Sequence, residues 1–284
     1  LSEVSGIGAK RRDMLQELGI HGLNDLATAN PERLAVQMER FGEQHGDVAG
    51  ALVAQAMAQR DGLVERLDST LALPELQRAP GVLLYDIESD PDARHDFLHG
   101  FLRLPRQSDG GWDLAAATYH PLFVLAEHGE QRSWLRLQRL LSRYEGWPIL
   151  HYGETETLSL RRLAQRQGAS DAQLRRLKRS LIDVHARIRS HWRLPLSSYG
   201  LKSVAAWRGF RWSQSGVDGA RALLWWRQWL GEGPKRRGSR HGLEWIFLYN
   251  QDDCRATWAV AEWLLEEDDL LNTAQRLDQP TAGR

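Results

Sequence analysis

Val82-Leu83-Leu84-Tyr85-Asp86-Ile87-Glu88 is the stretch that sets the fold class. It follows the breakers Leu73-Pro74 and Ala79-Pro80-Gly81, and its apolar run ends in acids, which reads as a buried strand. Side chains alternate across a strand, so Asp86 and Glu88 leave on the same face. Two carboxylates aimed one way repel, and a cation between them relieves the repulsion. Hard oxygen donors suit Mg²⁺ or Mn²⁺. Taken alone, the pair reads equally well as a solvated strand end.

Downstream, Phe97 to Leu104 and Leu122 to Glu127 are the next strand candidates, with shorter ones at Trp147 to Tyr152 and Ile182 to Val184. Helical patterns run over Arg132 to Tyr144, Thr157 to Arg166, Ala172 to Leu181, Ala220 to Leu230 and Leu243 to Leu265, and Ser198 to Val204 opens another helix. Strands first, then strand and helix in alternation, predict an α/β fold with a mixed central sheet. Upstream, the chain reads as helical and amphipathic. Met14, Leu15 and Leu18 share a face, Gly19 stops that helix, Asn30-Pro31 caps the next, and Ala51 to Leu67 forms a further one. The expected organisation is a small all-α module over 1–72, an α/β domain over 80–270 and a flexible tail over 271–284. Gly231 to Gly242, rich in Gly, Lys and Arg, reads as a loop.

The 284 residues suit one large domain plus a small one. A formal net charge of zero means that any nucleic-acid argument must rest on local patches. Cys254, the single cysteine, excludes an internal disulfide and a Cys-based zinc site, which makes a cytoplasmic location the expectation. No apolar run is long enough to span a membrane, and no secretory signal pattern opens the chain. The chain starts at Leu1, directly in a motif, and is expected to be a piece of a longer protein. Walker-type loops, Ser-His-Asp order and Rossmann glycine fingerprints are absent from the sequence.

Two further acidic groups complete the pattern. Tyr249-Asn250-Gln251-Asp252-Asp253 lies on a predicted helix, where Tyr249 and Asp253 share a face. His151-Tyr152-Gly153-Glu154-Thr155-Glu156 lies between a strand and a helix, where open sheets place their active sites. In this order the acids resemble the DEDD exonuclease superfamily with a tyrosine in its last motif. More narrowly, Tyr85 to Ser89, His151 to Leu163, Ser198 to Lys202 and Tyr249 to Thr257 resemble the RNase H-like domain of RecB-like nucleases, over roughly residues 80 to 266.

That resemblance implies a two-metal site for Mg²⁺ or Mn²⁺. Asp86 would bridge two ions, Glu88 and Asp253 would complete the first, Glu156 would hold the second, and Tyr249 would orient the attacking water. The middle acid is Glu156 where the wider superfamily usually carries Asp, and Glu154 is the alternative for its role. Asp183 is a further candidate for the cleft or else a turn cap. His151 contacts the scissile strand or is a buried, hydrogen-bonded core residue. Lys202, at the Ser198-Tyr199-Gly200-Leu201-Lys202 helix start, contacts phosphate or is simply exposed beside a packed Tyr199. Asp252 reads as a solvated neighbour of Asp253.

Val4-Ser5-Gly6-Ile7-Gly8-Ala9-Lys10 resembles the hairpin of a helix-hairpin-helix module. Gly6 and Gly8 allow a tight turn with Ile7 between them, and amides at the helix start, with Lys10, can hold a DNA phosphate. The alternative is a protein contact or spacer. The 12 tryptophans, among them Trp225, Trp226, Trp229, Trp258 and Trp263, read as core packing rather than base stacking. Arg161 to Arg179 reads as a phosphate track or a solvated face, and Lys235-Arg236-Arg237 with Arg240 as a substrate clamp.

The function expected is a divalent-metal-dependent nuclease, a 3′-5′ exonuclease on DNA in repair or nucleic-acid processing. The alternatives are a non-catalytic nucleic-acid-binding module of a larger RecB-like nuclease and a structure-specific endonuclease. Nucleic acid, DNA before RNA, is the expected partner. The resemblance also implies a RecB-type nuclease domain upstream in the same protein.

Overall fold

The computed structural model describes residues 1, 3–124, 129–232 and 237–277. The chain divides into two compact units, Leu1–Ala72 with Arg187–Val204, and Leu73–Ala186 with Ala205–Arg284. The first unit ends at Ala72, and Arg187–Val204 packs with it, which linear order does not indicate.

In chain order the elements begin with α1 (Ala9–Glu17), α2 (Leu23–Thr28), α3 (Pro31–Met38), α4 (Ala49–Asp61) and a two-residue strand β1 (Glu65–Arg66). There follow β2 (Gly81–Asp90), β3 (His95–Pro105), β4 (Thr118–Phe123), α5 (Gly129–Arg143), β5 (Ile149–His151), α6 (Glu154–Arg166), α7 (Asp171–Ser180), β6 (Leu181–Asp183) and α8 (Val184–His191). The chain continues through β7 (Trp192–Arg193), α9 (Leu201–Trp207), α10 (Gly219–Glu232) and α11 (Arg237–Leu277). No helix among the described residues is long and apolar enough to cross a membrane.

In the N-terminal unit, Leu15, Leu26, Leu34, Met38 and Leu52 form the core. Helix α3 starts as expected: Asn30 Oδ1 accepts from the Arg33 amide at 2.8 Å, with Pro31 at the first helical position. Helix α4 ends at Asp61 rather than at Leu67. Gly62, at φ 68°, adopts the left-handed conformation that closes a helix, and β1 then pairs antiparallel with β7.

The second unit holds a five-stranded sheet in the order β4-β3-β2-β5-β6. Strands β2, β3 and β4 are antiparallel neighbours, whereas β5 and β6 run parallel to β2. This is the mixed central sheet flanked by helices that the sequence predicts. On one face Leu83, Tyr85, Phe101 and Ile149 pack with Trp134 and Leu137 of α5, Leu160 and Leu163 of α6 and Leu177 of α7. Alternation along β2 therefore sends Leu84, Asp86 and Glu88 to the opposite face. Helix α11 covers that face, with Cys254 Sγ 3.5 Å from the Leu84 carbonyl.

Of the tryptophans, Trp134, Trp192, Trp226, Trp258 and Trp263 are buried, whereas Trp225 and Trp229 are half-buried and Trp245 is exposed. Trp226 stacks on Phe97 at 4.5 Å, and Trp258 and Trp263 are buried in α11. Burying one such ring stabilises by about 1.5–3 kcal/mol. Helix α11 is longer than its pattern, starting at Arg237 and reaching Leu277 rather than spanning Leu243 to Leu265. Gly242 lies inside it, where a Cβ would make only ordinary contact with Trp225 of α10 at 3.8 Å. Packing outweighs the poor helix propensity of glycine. Lys235, Arg236, Glu127 and residues 278–284 lie outside the described residues, as do the side chains of Arg237 and Arg240.

Candidate metal centre

The acidic end of β2 and one face of α11 build the site. Asp86 and Glu88 each offer a carboxylate oxygen that lies within 4.8 Å of the other and of an oxygen of Asp253. Glu88 and Asp253 are buried, and Asp86 is half-buried. The β2–β3 register shifts between Glu88 and Ser89, so the ladder breaks just past the second carboxylate. Burial, followed by repulsion from Asp253, Glu88 and Glu156, holds the Asp86 carboxyl well above the usual carboxylate range. Three carboxylate donors that repel one another, two of them buried, are chemically suited to a hard divalent cation, whose charge removes the penalty. The fit rests on this donor set.

Neighbouring polar groups orient these carboxylates. Asn250 Nδ2 donates to Asp86 Oδ2 at 2.7 Å, and the Tyr119 hydroxyl donates to Asn250 Oδ1 at 2.8 Å. Gly100 makes room for this, because a Cβ there would lie 1.6 Å from Asn250 Oδ1. Trp212 Nε1 donates to Asp253 Oδ1 at 2.6 Å. Tyr249, buried beside Asp253, hydrogen-bonds to it, and burial together with the carboxylate charges pushes its phenol above its ordinary value. Tyr249 therefore keeps its proton at neutral pH.

Asp252 differs from its expectation. It is buried and accepts from the amide and hydroxyl of Ser213 at 2.8 and 2.5 Å, so it pins the Trp212-Ser213 segment against α11.

The strand-to-helix junction supplies Glu156. Gly153, at φ 112°, turns the chain from β5 into α6. Glu156 Oε2 is buried with no hydrogen-bond partner among the described residues, whereas Glu154 is exposed. Burial first, then Asp183 and Asp253, pushes Glu156 up to about 7, against the pull of its own amide. Glu156 thus shares the electrostatic field of Asp86 and Asp253 but stands outside the three-carboxylate cluster.

His151 and Asp183 hold the junction together. His151 Nδ1 meets the Gly153 carbonyl at 2.8 Å and Nε2 meets Thr157 Oγ1 at 2.9 Å. A carbonyl only accepts, so Nδ1 carries the proton and Nε2 accepts from the hydroxyl. Asp183 Oδ1 accepts from the amides of Gly153 at 2.9 Å and Ala186 at 3.3 Å, linking β6 to the junction and capping the start of α8.

The remaining candidates lie in the N-terminal unit. Gly6 has φ 89°, Gly8 is the N-cap of α1, Ile7 is half-buried in the local core and Lys10 is exposed. Lys202 is exposed on α9. Tyr199, three residues before it, accepts from the Leu194 amide at 2.7 Å and donates to Gln55 Oε1 at 3.1 Å.

Asn250, Trp212, Tyr119 and Gly100 were missed by the sequence reading. Asn250 had a usable signal, since it precedes Asp253 by three residues and so shares its helix face. Nothing local marks the other three, which meet the site only through folding.

A family model described as the RNase H superfamily matches residues 83–265. No curated protein and no solved structure matches the chain.

Proposed function

The chain belongs to the RNase H superfamily, and on that premise we propose that it is a divalent-metal-dependent nuclease, acting as a 3′-5′ exonuclease on DNA. The observation that carries this reading is the convergence of Asp86, Glu88 and Asp253 within 4.8 Å inside the matched region. Asp86, Glu88 and Asp253 would hold one Mg²⁺ or Mn²⁺, and Glu156, with its unpartnered oxygen, would hold a second beside Asp86. Bound there, the cations supply positive charge to the attacking and leaving oxygens of an in-line phosphodiester displacement.

The residues of the chain then have separate tasks. Asn250 fixes the orientation of Asp86, and Trp212 that of Asp253. Tyr249, protonated and hydrogen-bonded to Asp253, orients water rather than removing its proton. Burial of Glu88 and Asp253 strengthens each charge interaction in the site. Gly6, Ile7, Gly8 and Lys10 form a helix-hairpin-helix surface for duplex phosphate, and Lys202 adds an exposed cation in the same unit. The resemblance to RecB-like nucleases supports a RecB-type nuclease domain as a partner in the same protein, and a role in DNA repair or processing.

The test is degradation of end-labelled single-stranded and duplex DNA and RNA with Mn²⁺, Mg²⁺ or EDTA, beside Asp86→Ala. Metal-dependent shortening from the 3′ end of DNA, abolished by Asp86→Ala, is expected. No cleavage in either metal, with DNA still bound, would leave a binding module in its place.

A further inference from the structure

Helix α5 carries Arg132, Arg136, Arg139 and Arg143, all exposed and spaced by four, three and four residues. That spacing places them in one narrow row along the helix. The row spans about 16 Å. Its inward face is fixed separately by Ser133, Trp134, Leu137 and Leu140.

The acids at either end of α5 are engaged elsewhere. Glu130 pairs with Arg166 of α6, and Glu145 with Arg176 of α7. Among the described residues, Arg132, Arg136 and Arg139 have no ion pair or hydrogen bond, and Arg143 lies over the Tyr144 ring at 5.7 Å. Among the described residues the row's charge is therefore left uncompensated, although the chain as a whole is neutral.

Between this row and β4 runs an open groove of about 390 Å³ lined by Tyr119, His120, Arg136, Arg139 and Arg143, with no acidic residue among the described residues of its wall. His120 Nε2 is buried there without a partner among the described residues. Burial and the charges of Arg143 and Arg103 lower the His120 pKa. At the same groove, Tyr119 donates to Asn250, which in turn holds Asp86. Side chains alternate along the edge strand β4, so His120 turns to the α5 face while Tyr119 turns to the carboxylate face, and the groove reaches the carboxylates around this strand.

We infer that the groove between α5 and β4 binds the sugar-phosphate backbone of the substrate strand, with Arg132, Arg136, Arg139 and Arg143 meeting successive phosphates. The inference rests on the nuclease reading for its ligand. Guanidinium groups suit phosphate oxygens geometrically, and a 16 Å row passes about five phosphates of one duplex strand. Such contacts track the backbone without reading sequence.

The experiment measures binding of fluorescein-labelled 30-nucleotide DNA to the whole chain in EDTA, at several salt concentrations. The parent is compared with Arg136→Glu/Arg139→Glu, with Arg136→Lys/Arg139→Lys, and with the charge-matched control Arg175→Glu/Lys178→Glu on α7. The expected result is an affinity loss of about tenfold or more for the first, near-parental binding for the other two, and a log–log salt slope reduced by about 1.4 for two lost phosphate contacts. Metal-dependent cleavage by the parent and its Asp86→Ala variant is measured in parallel. Unchanged binding by the Glu variant while the parent cleaves would overturn the groove and leave the nuclease standing. Loss of binding by the Glu variant, with no cleavage by the parent, would remove the nuclease and keep the groove. A Glu variant that loses only binding to phosphatidylserine vesicles would give the row to lipid headgroups and overturn the inference.

Discussion

Asn250 donates to Asp86 at 2.7 Å while accepting from Tyr119 at 2.8 Å, so a carboxylate on β2 is oriented by a side chain of α11 that is itself held from β4. The chain of bonds closes only because Gly100 has no Cβ. Asn250→Ala is expected to lower activity by about 10- to 100-fold, as loss of an outer hydrogen bond to a metal ligand typically does. Gly100→Ala is expected to do the same by displacing Asn250. A metal titration followed by calorimetry checks both, and parental metal affinity in Asn250→Ala would remove the positioning role.

Trp212 acts on the opposite carboxylate. Trp212→Phe keeps the ring and deletes the donor to Asp253. The expected outcome is a roughly tenfold or larger fall in kcat with the fold intact. Steady-state cleavage beside a thermal melt separates the two effects.

Asp86 stores repulsion when no cation is bound, because burial and three neighbouring carboxylates oppose its charge. Asp86→Asn should therefore raise the metal-free Tm by about 2–4 °C for each kcal/mol relieved. It should also abolish the Tm increase that Mg²⁺ or Mn²⁺ gives the parent. Melts in EDTA and in each metal read this directly, and a metal-free Tm lowered in the variant would contradict it.

Two groups give opposite pH dependences. Glu156 moves from 4.5 to about 7 on folding, so it costs stability progressively as pH rises through that window, and the cost persists above it. His99, buried, moves from 6.5 down to about 4, so its contribution is full above 6.5 and is lost as pH falls toward 4. In EDTA the two offset each other between pH 4.5 and 6.5. Glu156→Gln should unmask the His99 contribution, giving a Tm that climbs more steeply with pH than the parent's. Parallel Tm–pH curves would show that Glu156 does not titrate as argued.

The hairpin is tested at its exposed cation. Lys10→Glu should weaken duplex DNA binding several-fold and flatten the salt dependence, because a phosphate contact is lost. Cleavage of saturating short substrates should remain near parental. Equal affinity of parent and variant for duplex DNA would favour the spacer alternative.

Much of the fold was legible in the residues. The run Val82 to Glu88 gave a buried strand with two acids on one face, and Asn30-Pro31 gave a helix start, because these signals are local and periodic. The extents of α4 and α11 were not legible, since Gly62 closes α4 through a left-handed turn whereas α11 continues straight through Gly242. The assignment of Arg187–Val204 to the N-terminal unit was equally hidden, because it depends on contacts remote in sequence.

For the site, sequence alone determined which residue types were available: Asp86 and Glu88 in strand register, Tyr249 and Asp253 one helical turn apart, and Glu156 at a strand-to-helix junction. Only the tertiary structure decided that Asp86, Glu88 and Asp253 meet within 4.8 Å, that Glu156 stands just outside them, and that Asp183 and His151 hold a turn. Only it brought Tyr119, Gly100 and Trp212 to the carboxylates. Periodicity fixes the direction of a side chain relative to its own element, whereas the partners that orient a charge come from elements packed against it.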